Sequence, residues 1–271
     1  MNHAETPLSR TIDVTRPSLA RMHNYLLGGR DNYPADRAVC EQLLDRAPDA
    51  QVLTIDNRRF LERAVHCLAL EHGVRQFLDF GSGLPAQDNV HEIAQRTDAA
   101  CRVVYIDNDP MVLAYGRVLL EDNGQTVVVQ ADLRDPEAIM DTPRVTGLIN
   151  FTQPVACLLV SVLHCIPDDD DPSGLIRRVA ARLAPGSFLV ISQLVSQDRA
   201  TRCSLTDFMH ESTEGNWGRV RSPEETSRFF TGLDVLAPGL GDVANWRVGA
   251  RFASRRRTRE WIEYGGVGRV R

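Results

Sequence analysis

Along residues 58–72 the apolar side chains of Phe60, Leu61, Ala64, Val65, Leu68 and Ala69 recur at spacings of three and four, and Gly73 follows them. That period gathers them on one face and the glycine supplies a stop, which predicts an amphipathic helix packed on a core. Beyond it the rhythm shortens. Gln76 to Phe80 is a brief apolar run entering a glycine turn, Gly81-Ser82-Gly83, and a helix then starts near Pro85 to Asn89 and continues to about Arg96. Val103 to Ile106 reads as the next strand, closed by Asp107-Asn108-Asp109-Pro110. Pro110 at a first helical position opens a helix through Leu120. Val127 to Ala131 forms a third strand, and Val155 to Ser161 a fourth, a continuous apolar run expected of a strand covered on both faces. Ser173 is placed to cap a helix carrying Leu175, Ile176, Val179 and Leu183, which Pro185-Gly186 breaks before the strand Phe188 to Ile191. Ser222-Pro223-Glu224-Glu225 is a capping box opening a helix to about Phe230. Leu233 to Leu236 reads as a sixth strand. Trp261 to Val267 is preferred as the seventh over Trp246 to Phe252, which runs into Arg255-Arg256-Arg257 without a clear turn.

Strands alternating with helices specify an α/β fold with right-handed crossovers. The expected architecture is a doubly wound, seven-stranded, mostly parallel, Rossmann-like sheet. Residues 1–73 form an N-terminal helical extension and residues 74–271 the main domain. No repeat or low-complexity linker interrupts this plan.

Composition narrows the chemistry. All 31 basic residues are arginine, against 36 acidic ones, for a net charge of −5. Without lysine there is no Schiff base, no phosphate-loop lysine and no Ser-Lys nucleophile. The acidic balance argues against a sequence-blind nucleic-acid binder. The last 25 residues hold eight arginines and two glutamates, but the cluster Arg255 to Arg259 has no interleaved aromatics and reads as a solvated surface. Six cysteines with no C-x-x-C pair suit a reducing cytoplasm and predict neither a zinc cage nor a disulfide framework. Val145 to Pro167 carries no formal charge, yet Asn150, Gln153, Pro154 and His164 interrupt it, so two buried segments are expected rather than a membrane span. Asp168 to Asp171 reads as a solvated approach to a helix, with no metal expected.

In such a sheet a ligand sits beyond the carboxyl ends of the strands, where strand order reverses. Three acids fall there: Asp79 before Gly81 and Gly83, Asp107 at the end of the second strand, and Asp132 at the end of the third. Asp107 can accept from both hydroxyls of a ribose. Asp132 can accept from an adenine amino group while Leu133 offers its amide to a ring nitrogen. This suits a nucleoside cofactor without phosphate, such as S-adenosylmethionine. Gly81-Ser82-Gly83-Leu84-Pro85-Ala86 also satisfies a dinucleotide form, G-x-G-x-x-A. Asp79 would repel a pyrophosphate, and Pro85 removes an amide from the helix start. A glycine turn serving packing alone stays open as well.

The motifs Asp79-Phe80-Gly81-Ser82-Gly83, Ile106-Asp107-Asn108-Asp109-Pro110, Gln130-Ala131-Asp132 and Leu163-His164-Cys165-Ile166-Pro167-Asp168 follow in an order that resembles class I S-adenosylmethionine-dependent methyltransferases. The segments from Ala20 to Tyr33 and from Gly83 to Glu92 are similar to those of a bacterial methyltransferase-like group long catalogued as a domain of unknown function. The resemblance covers about Arg16 to Arg269. It implies the class I fold and the cofactor, and makes Gly81, Ser82, Gly83, Asp107, Asn108, Asp132 and Leu133 cofactor contacts, with Ser161 beside the transferred methyl. The departure is Pro85, where many class I enzymes carry a third glycine, which puts in doubt which amides reach the methionine end.

The segment from Tyr25 to Tyr33 packs two tyrosines, two glycines and Arg30 into one short stretch. One reading is a lid over the cofactor, with Tyr25, Arg30 and Tyr33 as contacts and Arg30 serving the carboxylate. The other is a helix end capped by Gly28-Gly29. His164 is the candidate general base should the acceptor carry a proton, with a packed structural histidine as the alternative. His91 and Glu92 could line the pocket or complement a helix start. The expected activity is methyl transfer to a small-molecule acceptor. A non-catalytic binder of the cofactor and a nicotinamide-dependent oxidoreductase are the alternatives.

Overall fold

The computed structural model describes residues 11–121, 123–248 and 260–271. The first elements among the described residues are α1 (Leu19–Leu26), α2 (Pro34–Arg46) and α3 (Ala50–Leu70). The alternating part follows: β1 (Gln76–Phe80), α4 (Val90–Thr97), β2 (Arg102–Asp107), α5 (Pro110–Leu119), β3 (Thr126–Gln130), α6 (Pro136–Met140), α7 (Pro143–Thr146), β4 (Ala156–Val160), α8 (Pro172–Ala181) and β5 (Phe188–Val195). The remainder comprises α9 (Arg199–Ser212), α10 (Pro223–Ser227), β6 (Asp234–Val235), β7 (Gly241–Asp242) and β8 (Ile262–Arg269).

The sheet runs β3-β2-β1-β4-β5-β8-β6, with β7 pairing β8. Its first five strands are parallel, and β8 enters antiparallel between β5 and β6, in the register Ile191↔Gly266 and Leu194↔Glu263. The expected mostly parallel sheet therefore stands, with one more strand among the described residues than the seven read from the pattern. That strand, Gly241–Asp242, is too short to leave a period. Gly265 lets β8 lie against β5, because a Cβ there would collide with the Ile191 carbonyl.

Both faces of the sheet are covered. Phe77, Val103, Leu158 and Val190 pack with Phe60, Val65 and Leu68 of α3 and Ile93 of α4. Leu78, Phe80, Val104, Leu159 and Leu189 pack on the other side with Ile139, Leu175 and Val179. This double coverage is why the strands read as unbroken apolar runs. A third cluster joins Met22, Leu26 and Leu43 of the first helices to Leu205 and Met209 of α9 and to Trp217 and Trp261.

Local chemistry sets the helix starts. Asp109 accepts from Met111 N at 2.7 Å and Pro110 follows it, so α5 begins where the second strand ends. Asn89 and Glu92 form a capping box on α4, and Ser222 and Glu225 form the expected one on α10. The cap of α8 is Asp171 rather than Ser173; its side chain accepts from Gly174 N at 2.8 Å. α3 begins eight residues before the apolar period does, because its first turns carry buried polar groups, Asp56 and Asn57. No described helix is long and apolar enough to cross a membrane, and Val145 to Pro167 spans the end of α7 and all of β4.

Candidate functional site

The strand order reverses between β1 and β4. Beyond their carboxyl ends lies a cavity of about 760 Å³, within the usual size of a ligand pocket. Asp79, Gly81, Ser82, Gly83, Asp107, Asn108, Asp132, Leu133 and Ser161 all line it. Tyr25, Arg30, Tyr33 and His164 are not among the lining residues.

The glycine turn uses its own amides. Gly81 N and Ser82 N both donate to the Ile106 carbonyl, at 2.8 and 3.2 Å. Gly83 N donates to Asp107 Oδ2 at 2.9 Å, and Ala86 N to Asn89 Oδ1 at 3.0 Å. Pro85 has no amide to give. A pyrophosphate would need such donors free at the helix start, and here they are engaged inside the turn. Gly81 sits at φ +69°, and a Cβ on it would collide with Val162, so the β4 exit and the turn approach closely only because this residue is glycine. Gly83, at φ +68°, has open space where a Cβ would be. The Ser82 hydroxyl is buried without a hydrogen-bond partner.

The acids differ in state. Burial pushes the Asp79 carboxyl up to about 7, with Arg58 pulling it down and Asp107 adding to the rise. Burial also raises Asp107 to about 6, against the hydrogen bonds from Asp109 N and Gly83 N. Those two amides take one lone pair on each Asp107 oxygen, at 2.9 Å, which leaves capacity for two further donors. Asp132 is held by Arg134, whose Nε lies 3.0 Å from both oxygens; burial opposes ionisation, but the arginine keeps this carboxyl below its ordinary value. Ser161 occupies the left-handed region at φ +57°. Its amide donates to Ser192 O at 2.9 Å and its hydroxyl to Glu263 Oε1 of β8 at 3.0 Å. Such a conformation in a residue with a side chain persists only where its surroundings enforce it.

The stretch from Tyr25 to Tyr33 forms part of the cavity wall through Leu27, Gly28, Gly29 and Asp31. Gly28 at φ +82° ends α1, and Gly28 N and Gly29 N return to the carbonyls of Tyr25 and Asn24. This is the helix-end reading. Gly28, Gly29 and Asp31 face the cavity, whereas Arg30 is exposed outside it. Asp36, fully buried, anchors the wall: it accepts from Ser18 N at 2.9 Å and Tyr33 N at 2.8 Å, and pairs with Arg21 Nε at 2.9 and 3.0 Å. Tyr33 begins α2, and Ser18 Oγ bonds Asp109 across the cleft.

His164 is the packed histidine. Its ring stacks on Trp217 at 4.5 Å, its Nδ1 accepts from Leu194 N at 3.4 Å, and burial pushes its pKa down to about 3, with Arg221 and His23 acting the same way. The general-base expectation is corrected accordingly, since the ring lies behind the wall. His91 is buried against the Tyr105 hydroxyl and Glu92 serves the helix cap, so neither lines the cavity. Asp168 is bound by Arg219 and Arg221, and Asp170 by Arg134. Among the described residues, Cys67, Glu71 and His72 come within metal-ligand spacing, but Arg247 donates to Cys67 Sγ at 2.9 Å and to both Glu71 oxygens. The arginine cluster 255–259 lies outside the described residues.

Among the wall residues that the pattern reading missed are His23, Asn24, Asn57 and Arg58. Burial, then Arg58, depresses His23 to about 4, so its ring is uncharged at neutral pH. Asn57 Oδ1 accepts from Ser192 Oγ at 2.6 Å, tying α3 to β5. A signal existed: Asn57 and Arg58 continue the apolar stripe of Leu61, Ala64, Val65 and Leu68 upstream with polar groups, which marks a helix face leaving the core for a cavity.

Residues 5–271 match the model of a family described as S-adenosyl methyltransferase. A candidate methyltransferase from Thermobifida fusca YX is 38% identical, with 96% of this chain and 97% of that one covered and a TM-score of 0.87. A DUF574 family protein from Streptomyces avermitilis is 35% identical, covering 96% of this chain and 100% of that one, also at TM-score 0.87. Among curated proteins, none matches the sequence. A family match over nearly the whole length, joined to the acid-lined cleft, gives one conclusion: the chain belongs to the S-adenosyl methyltransferase family.

Proposed function

We propose that the protein transfers the methyl group of S-adenosylmethionine to a small-molecule acceptor admitted to the same cavity. The observation that carries this is the pairing of a self-satisfied glycine turn with acids at three strand tips. A turn whose amides are engaged suits a nucleoside without phosphate, and acidic walls suit a cation. The same observation weighs against a nicotinamide dinucleotide.

The residues fit such a ligand. The free lone pairs of Asp107 can hold a pair of hydroxyls, and Leu133 and Asp132 border the place for a base. The space over Gly83 and the unpartnered Ser82 hydroxyl lie on the same wall. Bound there, S-adenosylmethionine supplies an electrophilic methyl group on a sulfonium sulfur. The protein aligns the acceptor and excludes water, which can account for much of the acceleration of a displacement. Ser161 and Val162, fixed by Glu263 and by the contact over Gly81, wall the β4 side. His23, neutral above about pH 4, is the imidazole available at the wall to accept a hydrogen bond or a proton from the acceptor.

Calorimetry with S-adenosylmethionine and S-adenosylhomocysteine tests the first half, and transfer of labelled methyl to a panel of small molecules tests the second. Asp107→Ala should weaken binding of both ligands about 30-fold, the loss expected for a charged hydrogen-bond partner. Unchanged affinity in that variant would remove the proposal. Binding without transfer to any acceptor would favour a non-catalytic binder.

A further inference from the structure

We propose that Arg58 is the carboxylate anchor of this site and makes it selective for ligands with an amino-acid end over nucleoside thioethers that lack one. This rests on the donor reading above. Two arginines line the cavity, Arg58 and Arg134. Arg134 is committed, with bonds to Asp132 and to Asp170. Arg58 is paired more loosely: among the described residues its one carboxylate partner is Glu62, whose Oε1 stands 3.9 Å from Nε, too far for a hydrogen bond. A guanidinium on the cavity wall that no carboxylate holds directly keeps donors for a ligand anion.

The side chain is also aimed. Its Nη2 donates to the carbonyls of Gln87 at 3.2 Å and Asp88 at 2.7 Å, in the turn before α4. These bonds engage Nη2 and fix the plane of the guanidinium, so the Nη1 donors left for a ligand carboxylate are preset in direction. Arg58, Asp79 and His23 all line the cavity, and Arg58 is the cation that acts on the Asp79 carboxyl and on the His23 ring. One cation and one acid on a shared wall complement a zwitterion, with the carboxylate on Arg58 and the ammonium toward Asp79. The chain has no lysine, and Arg30 does not line the cavity, so among the described residues no other cation on the wall is available for the carboxylate.

Calorimetry of the full chain with S-adenosylhomocysteine and with 5′-methylthioadenosine, the same nucleoside thioether without an amino-acid end, tests this. Arg58→Gln should bind S-adenosylhomocysteine about 30-fold more weakly and 5′-methylthioadenosine within about threefold of wild type. Retained binding of the second ligand also shows that the variant is folded. Arg58→Lys keeps the charge without the planar, backbone-anchored guanidinium and should fall between the two, and it carries the test if Arg58→Gln does not fold. Equal losses for both ligands, or no loss for either, overturn the assignment while leaving the donor reading intact. A selective loss in Arg30→Gln instead moves the anchor to Arg30. Wild-type protein that binds neither ligand removes both readings.

Discussion

Asp79→Asn separates what the site costs from what it does. The Asp79 carboxyl is buried, and its pKa stands at about 7 against an ordinary 3.8. A group whose value is raised by folding binds its proton more tightly in the native state. Its stabilising contribution is therefore full below about pH 4 and is lost as the pH climbs toward 7. Asparagine has no charge to lose, so the variant keeps what the wild type gives up. Between pH 5 and pH 8 the gap between variant and wild type should widen by about 3 kcal/mol, at 1.36 kcal/mol for each pH step up to the native value. For a chain of this size that is roughly 6–12 °C in Tm. Thermal unfolding of the ligand-free proteins at the two pH values measures it directly. Adding S-adenosylhomocysteine should reverse the ranking at pH 8, because the ionised carboxylate is what the ligand ammonium meets. A Tm difference that does not change with pH, or a variant less stable than wild type at pH 8, refutes the reasoning.

Three further outcomes are expected. Affinity for S-adenosylmethionine should fall about tenfold per pH unit below 7, and more steeply below 6, as Asp79 and then Asp107 take up protons; calorimetry from pH 5 to 8 reads this, and a flat profile contradicts it. Gly81→Ala combines a positive φ with a collision on Val162 and should lose about 2 kcal/mol or more in denaturant unfolding; Gly83→Ala, open on that side, should cost about 1 kcal/mol yet fill the cradle and weaken ligand binding. Arg21→Met leaves Asp36 buried without its charge partner and should cost about 3–5 kcal/mol, much of it recovered in a double variant with Asp36→Leu; equal loss in both would show that the pair is not the cause.

The parallel sheet and the acid at each strand tip were legible because both are local. Apolar runs report coverage on two faces, and the glycine turn and Asp107 sit at a strand end that the pattern itself locates. What escaped depends on three-dimensional company. Nothing near His164 in the sequence announces Trp217, so a packed ring and a facing base look alike. In the stretch from Tyr25 to Tyr33 adjacent glycines and aromatics suit a lid and a helix end equally, and the bond from Tyr33 N to Asp36 that shapes its far end is not announced by the stretch itself. Arg30 and Arg58 have the same chemistry, and only the three-dimensional placement of α3 puts Arg58 rather than Arg30 on the cavity wall. β7, two residues long, carries no periodicity to detect.

The placement of β8 has a consequence for biosynthesis. It lies within the sheet, between β5 and β6, and its Glu263 secures Ser161 at the cleft. A ribosome delivers the five parallel strands long before residues 262–269, so a nascent chain shows an uncovered β5 edge and an unsecured β4 exit until then. Ligand competence therefore arrives late and all at once, when this strand threads into its slot. A chain stalled before that point carries most of the fold but lacks the brace behind Ser161.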